Sequence, residues 1–319
     1  MVFIIWADRR HTCLGVHFDL ISKGVYVFSG FISISGFSAV LWAASSSGIL
    51  AIMWVLVRQL SNQLHPLEIT FFATLFGFLF SCFSIFKFGL NIFKTTRLTH
   101  HFYRGCINGI AISAWFTSLT LLTLADASAL NLMSPLCVSI GAVFVLNEYM
   151  GPRRWFALGL GALGVLVVVR PGFEEVNLGV WLVAITVLAS AGQRLFGKSL
   201  VATDNSTTCV LYLTLFMMPI ALIAATFVWK WPAFHDYLYL ILIGGLLNLG
   251  HYALMKSLSL ADVSALEPVN FTRLVWGALF GFWFFNEIPD LYTWIGGFMI
   301  ISATSYVAHR EAQIRKNNI

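Results

Sequence analysis

The chain has 319 residues, of which 59% are hydrophobic and 10% charged, with a mean hydropathy of +0.83 and a formal net charge of +5. Soluble domains carry about 25% charged residues, so this chain cannot clothe a globular surface and its solvent is largely lipid. That excludes a soluble enzyme and a nucleic-acid-binding domain, and the positive balance belongs to loops.

The first twenty residues are interrupted by Asp8, Arg9, Arg10, His11, His17 and Asp19. No compact apolar core with a cleavage site follows, so residues 1–35 read as a cytoplasmic N-terminal extension and not as a signal peptide. Apolar runs long enough to cross a bilayer then follow at 36–57, 66–88, 104–124, 127–147, 153–170, 178–198, 207–229, 236–257, 263–286 and 291–309. All are expected to be helices, because a lipid-exposed backbone must satisfy its own hydrogen bonds. The turns between them hold Met150-Gly151-Pro152, Arg170-Pro171-Gly172, Trp231-Pro232 and Ile288-Pro289-Asp290. Pro152 and Pro289 suit the first turn of the helices they precede. Residues 311–319 form a short tail.

Lysine and arginine set the expected orientation. With the N-terminus inside, fifteen of the 19 basic residues fall in inner segments, Arg104 among them. Three, Arg58, Arg170 and Lys230, fall outside, and Arg273 lies within a span. The bias predicts that both termini are cytoplasmic.

One stretch occurs twice. Leu124–Leu130 reads LADASAL and Leu260–Leu266 reads LADVSAL. Each is followed by an apolar run ending in Asn-Glu (Asn147-Glu148, Asn286-Glu287), then by a tryptophan, Trp155 or Trp294, eight residues after the Asn. Two units of five spans are implied, 36–172 and 173–310. An odd number of crossings inverts the second unit relative to the first. The predicted fold is an all-α polytopic membrane protein of ten transmembrane helices in two inverted five-helix repeats, an arrangement suited to alternating access.

The blocks at 124–172 (LADASALNLMSPL…FVLNE…PRRWFALGLGALGVLVVVRPG) and 253–297 (ALMKSLSLADVSALEPVNFTRLVWGALFGFWFFNEIPDLYTWIGG) resemble the drug/metabolite transporter superfamily, in particular its EamA family of ten-span carriers. The likeness runs from about Gly36 to Arg310. The second block looks most like the subgroup that contains S-adenosylmethionine uptake carriers. The resemblance implies a secondary transporter of a small polar organic metabolite, amino-acid-like or S-adenosylmethionine, in a bacterial cytoplasmic (inner) membrane. One departure stands out. Relatives usually carry an arginine after a Phe-Phe in the second span, whereas here Phe71-Phe72 is followed by Ala73-Thr74.

Polar residues inside the spans nominate the site. Glu267, Asn270 and Arg273 fall at i, i+3 and i+6 of the ninth span and form one stripe. A charge at the bilayer centre costs at least ~2.5–3.5 kcal/mol, so such residues face a cavity or a partner. Pro268 interrupts the same helix. A Glu–Arg or Glu–Asn pair that merely locks two helices together is the structural alternative. Offset by 136 residues, Asn131, Ser134 and Cys137 form a matching stripe in the fourth span. The eighth span adds Asn248, His251 and Tyr252, and Trp115 is the third-span counterpart of His251. Gln193 and Ser45–Ser47 are weaker candidates. A cavity lined by spans 3, 4, 8 and 9 is expected, with His251 as the route for any proton coupling.

Asp126 and Asp262 read as N-caps, Glu148 and Glu287 as caps of the helices after them, and Gly105, Gly109, Gly159, Gly161 and Gly164 as packing positions. The five cysteines show no ligand spacing, and no metal or cofactor is expected. The partners implied are a small-molecule solute and the lipid bilayer, with no nucleic acid, for a monomer or a homodimer. Two other classes compete with a transporter. A membrane-embedded enzyme finds no G-x-S-x-G, H-E-x-x-H or carboxylate pair to support it. A scaffold subunit has no use for midplane charge.

Overall fold

The structure, a computed structural model, describes residues 34–84, 86, 89–137, 140, 152–170, 177–261, 266, 269 and 271–317. Among them are ten α-helices: α1 (Ile34–Leu60), α2 (Pro66–Phe83), α3 (Leu98–Leu121), α4 (Leu124–Asn131), α5 (Pro152–Val169), α6 (Leu178–Val201), α7 (Ser206–Thr226), α8 (Asp236–Leu260), α9 (Thr272–Phe285) and α10 (Leu291–Asn317). A 3-10 turn, Gly89–Phe93, leads into α3. Phe37–Leu60, Pro66–Phe83, Leu178–Val201, Ser206–Thr226 and Asp236–Leu260 are long and apolar enough to cross a membrane. Trp155–Val169, Thr272–Phe285 and Leu291–Val307 are shorter apolar helices. Large apolar side chains such as Phe83, Leu188, Trp283 and Phe298 point out of the bundle, as lipid permits and water does not.

Several boundaries depart from the sequence reading. The expected span 127–147 opens as the short α4, and the chain turns at Leu132 and Met133 before a second helical stretch at 134–137. Pro135 explains the break, since it has no N–H to give to the Asn131 carbonyl. At the other end α10 continues to Asn317, so the expected tail at 311–319 is helical that far. Residues 1–33, Glu148, Asp262, Glu267, Pro268 and Asn270 lie outside the described residues.

Caps account for the clean helix starts. His65 caps α2 through a capping box with Glu68, and Pro66 takes the first position. Thr123, not Asp126, caps α4: its Oγ1 accepts from the Asp126 N–H at 3.1 Å and donates to the Asp126 carboxylate at 2.7 Å. Asp126 instead sits in the first turn, where it favours the positive end of the helix dipole, and accepts from Thr293 on α10. Asn177 caps α6 through the Gly179 N–H at 3.0 Å. Asn286 ends α9 in the left-handed region with φ 54°, which asparagine tolerates better than most residues.

The packing has an internal symmetry. The pairs α1·α8 and α6·α3 pack closely, as do α2·α8 and α7·α3, and α1·α9 and α6·α4. Replacing each helix of the first five by its counterpart in the second five turns one member of each pair into the other. The pairs α2·α7, α4·α9 and α5·α10 map onto themselves. Helices α5 and α10 meet backbone to backbone: a Cβ on Gly296 would lie 2.5 Å from the Gly164 carbonyl, and one on Gly164 would lie 2.8 Å from that of Gly296. Gly159 differs from the packing role expected of it, because a Cβ there meets open space.

Polar ties join the two halves at both ends of the bundle. At the end formed by the α1–α2, α3–α4 and α9–α10 connections, Glu287 pairs with Arg58 and accepts from the Leu124 N–H at 3.1 Å. Glu287 therefore caps a helix of the opposite half, α4, and not the following helix as expected. Arg170 pairs with Asp290 at 2.8 Å. At the opposite end Arg97 donates to the Ser199 hydroxyl at 2.8 Å. There the Asp204 carboxylate meets His101 Nε2 at 2.7 Å and accepts from Thr95 at 2.6 Å.

Candidate functional site

A cavity of about 110 Å³ lies between the halves. It is lined from α1 (Met53, Trp54), α3 (Asn108, Trp115), α4 (Asn131), α6 (Thr186, Ser190, Gln193), α8 (His251, Ser257) and α9 (Arg273), among other residues. Helical periodicity explains the grouping. On α3 the lining residues Asn108, Ala111, Ile112 and Trp115 recur at three to four positions, as do Thr186, Ser190 and Gln193 on α6. The six helices form three counterpart pairs, α1/α6, α3/α8 and α4/α9. The sequence reading expected only the last two pairs.

Of the sequence-nominated residues, Trp115, Asn131, Gln193, His251 and Arg273 converge on this cavity. Three others do not line it. Asn248 donates to the Gly77 carbonyl at 2.7 Å and to the Ser81 hydroxyl at 2.5 Å, which ties α8 to α2. Tyr252 packs edge-on against Trp42 with ring centroids 6.0 Å apart. Ser134 is fully buried beside the break that Pro135 makes. Glu267 and Asn270 lie outside the described residues. Of the serines on α1, Ser46 is spent on the Gly250 carbonyl at 2.9 Å.

The cavity's polar groups differ in how far the protein already occupies them. Gln193 Nε2 donates to Asn108 Oδ1 at 3.1 Å, and Asn108 Nδ2 to Met217 Sδ at 3.1 Å. Thr186 is bonded to the Ala111 and Leu182 carbonyls. By contrast, the Asn131 amide and the Ser190 hydroxyl make no hydrogen bond among the described residues, and the buried His251 Nδ1 has none either. His251 Nδ1 is a buried polar atom of the kind that is normally satisfied, and the half-buried Asn131 and Ser190 face the same cavity, so these are the groups a ligand or water could complete. Trp54 and Trp115 meet edge to face with centroids 5.1 Å apart and form an aromatic wall. Asn108, Thr186, Ser190 and Trp54 escaped the sequence reading. The signal that finds three of them is the polar stripe at i, i+4, i+7 on α6 and the Asn108–Trp115 spacing on α3.

At about 110 Å³ the cavity is smaller than ordinary small-molecule sites of ~300–1,000 Å³. Admitting a metabolite therefore requires the lining helices to part.

Comparison with known proteins adds the following. The profile of the EamA-like transporter family matches two stretches, residues 37–170 and 177–308. An S-adenosylmethionine uptake transporter of Rickettsia bellii is 26% identical over 265 residues, covering 83% of this chain and 91% of that protein. A riboflavin transporter of Rhizobium johnstonii is 27% identical over 277 residues, covering 85% and 91%. A pseudopaline exporter of Pseudomonas aeruginosa is 26% identical over 272 residues, covering 83% and 94%. One solved crystal structure superposes with a TM-score of 0.60 at 14% identity, over 86% of this chain and 98% of that one, and shares the fold.

The uneven occupation of these side chains separates ligand contacts from structural ones. Asn131→Ala is expected to raise the KM of the transported solute about tenfold while leaving the melting temperature in detergent unchanged. Asn248→Ala is expected to leave KM unchanged and to cost about 1–2 kcal/mol of stability, the cost of a lost buried hydrogen bond. Thermal unfolding and uptake kinetics on the two purified variants check the contrast.

Proposed function

The chain belongs to the EamA-like transporter family, and we propose that this multi-pass membrane protein moves a small zwitterionic metabolite across a bacterial cytoplasmic membrane by alternating access. The observation that carries the reading is the convergence of Arg273, His251, Asn131, Gln193 and Trp115 on one cavity between the halves. Arg273 suits a carboxylate, the amides suit polar substituents, and the two indoles suit an apolar or aromatic body. Glu267, six residues before Arg273, is the anion assigned to a cationic group on the solute. An amino-acid-like metabolite is the first reading. S-adenosylmethionine is the second, favoured by the Rickettsia relative and by the Trp54–Trp115 wall.

The proposed mechanism rests on inverted repeats. Its supports are the two family matches, the counterpart symmetry of the helix pairs and the five helices described in each half. Ten crossings with both termini cytoplasmic are the proposed topology, supported by the ten apolar runs and by the excess of lysine and arginine in the inner segments. Reporter fusions at Ile319 and Phe173 are expected to read inside and outside, and finding both on one side contradicts the inversion.

The transport claim is tested in liposomes. Purified protein is expected to exchange labelled amino acids or S-adenosylmethionine saturably, and Arg273→Ala to lower the rate about 30-fold or more, as loss of a buried charge contact does. An inward proton gradient that accelerates uptake in the wild type but not in His251→Gln would assign coupling to His251. A panel of amino acids, nucleosides and S-adenosylmethionine without saturable flux would overturn the reading.

A further inference from the structure

Arg104 is fully buried on α3. Its guanidinium donates to the Cys209 carbonyl on α7 at 3.0 Å and to the Met255 sulfur on α8 at 3.2 Å. Its Nε has no partner, and no carboxylate reaches it among the described residues. A guanidinium carries five donors, and here only one of them meets an oxygen. A thioether is a weak acceptor. Buried charges are otherwise paired or hydrogen-bonded, so this cation lacks its counter-charge.

Its position says where the counter-charge comes from. Arg104, Gly197 and Met255 enclose one spot, since a Cβ on Gly197 would lie 3.5 Å from Arg104 Nε and 3.4 Å from the Met255 methyl. Each lies four residues, one helical turn, from a residue of the cavity: Asn108 on α3, Gln193 on α6 and His251 on α8. Helix directions make the step the same for all three, toward the end of the bundle where Arg97 and Lys198 lie. The Arg104 Cα lies one turn, about 5.4 Å, from that of Asn108, and the cavity lining itself reaches past the level of Met255 to Ser257 and Leu258 on α8. The flexible Met255 side chain and Gly197 lie beside it.

We propose that Arg104 is a second anion-binding residue of the transport path, which takes the solute's carboxylate when α3, α6 and α8 part on that side. This rests on the transporter reading above and adds a second cation, Arg104, for the solute's carboxylate. The Met255 thioether gives way, and the carboxylate receives the forked N–H groups that no protein oxygen takes. Arg273 on α9 and Arg104 on α3 then offer the solute's carboxylate two cations on different helices.

The test compares acids with their esters. Uptake of L-methionine, S-adenosylmethionine and their carboxyl methyl esters is measured in proteoliposomes. The wild type is expected to prefer each transported acid over its ester. Arg104→Gln is expected to raise the KM of the acid about tenfold or more, the scale of a lost charge-assisted bond, with little change for the ester. Arg104→Lys should retain part of the preference. Equal losses for acid and ester, or an undiminished preference in Arg104→Gln, would overturn the proposal.

A second readout needs no solute. In a chain whose five cysteines are replaced by alanine, Arg104→Cys and Gly197→Cys are exposed to a water-soluble methanethiosulfonate in inside-out vesicles. Reaction at these positions supports a path that reaches Arg104, and inert thiols in a monodisperse protein overturn it. If the wild type takes up neither acid, the substrate reading fails by itself and the thiol reaction decides Arg104.

Discussion

Enclosing a charged side chain away from water is costly unless it is paired or faces a cavity, and among the described residues this bundle keeps two guanidinium groups inside. Arg273 lines the central cavity and Arg104 is fully buried beside it, one helical turn from the lining residue Asn108. The arrangement around them follows from that cost. Apolar side chains are turned outward, so that Phe83, Trp283 and Phe298 face lipid. The polar stripes of α3, α6 and α8 are turned inward onto a common space.

The ties at the two ends give the proposed movement its logic. Glu287 joins α1, α4 and the α9–α10 connection at one end, and Asp204 joins α3 to the α6–α7 turn at the other. Each tie crosses from one half to the other. Each uses a carboxylate against a cation, imidazole or helix N-terminus, groups that water can satisfy once the end opens. Opening one end therefore exchanges protein hydrogen bonds for hydrated ones at modest net cost, while the tie at the other end still holds the halves together. The cavity between them is too small for a metabolite without such an opening.

Much of this was legible in the chain, and the misses have physical reasons. The LADASAL copy opens α4 behind its Thr123 cap, and its near-repeat LADVSAL is the signal that pointed to two halves. Arg273, His251 and Trp115 were legible because a polar or bulky residue is conspicuous in an apolar run. Arg104 was not. It lies at the lip of its span, where a positive-inside count places it with the loops, and only the packing of α6, α7 and α8 shows it enclosed. Glu287 was assigned to the wrong helix because its partner, the Leu124 N–H, is 163 residues away. Asn248 looked like a site residue for the same reason as His251. Hydropathy cannot tell that one amide is spent on Gly77 and Ser81 while the other side chain is left open.

The central claim is that one space between the halves opens to each side of the membrane in turn. Ser190 reports on it directly, since it lines the cavity and holds no structural hydrogen bond among the described residues. With the native cysteines removed, Ser190→Cys is treated with an impermeant thiol reagent in right-side-out and inside-out vesicles. The account predicts labelling from both sides, slowed on both by a saturating transported solute. Labelling from one side only under every condition, or from neither, would contradict it.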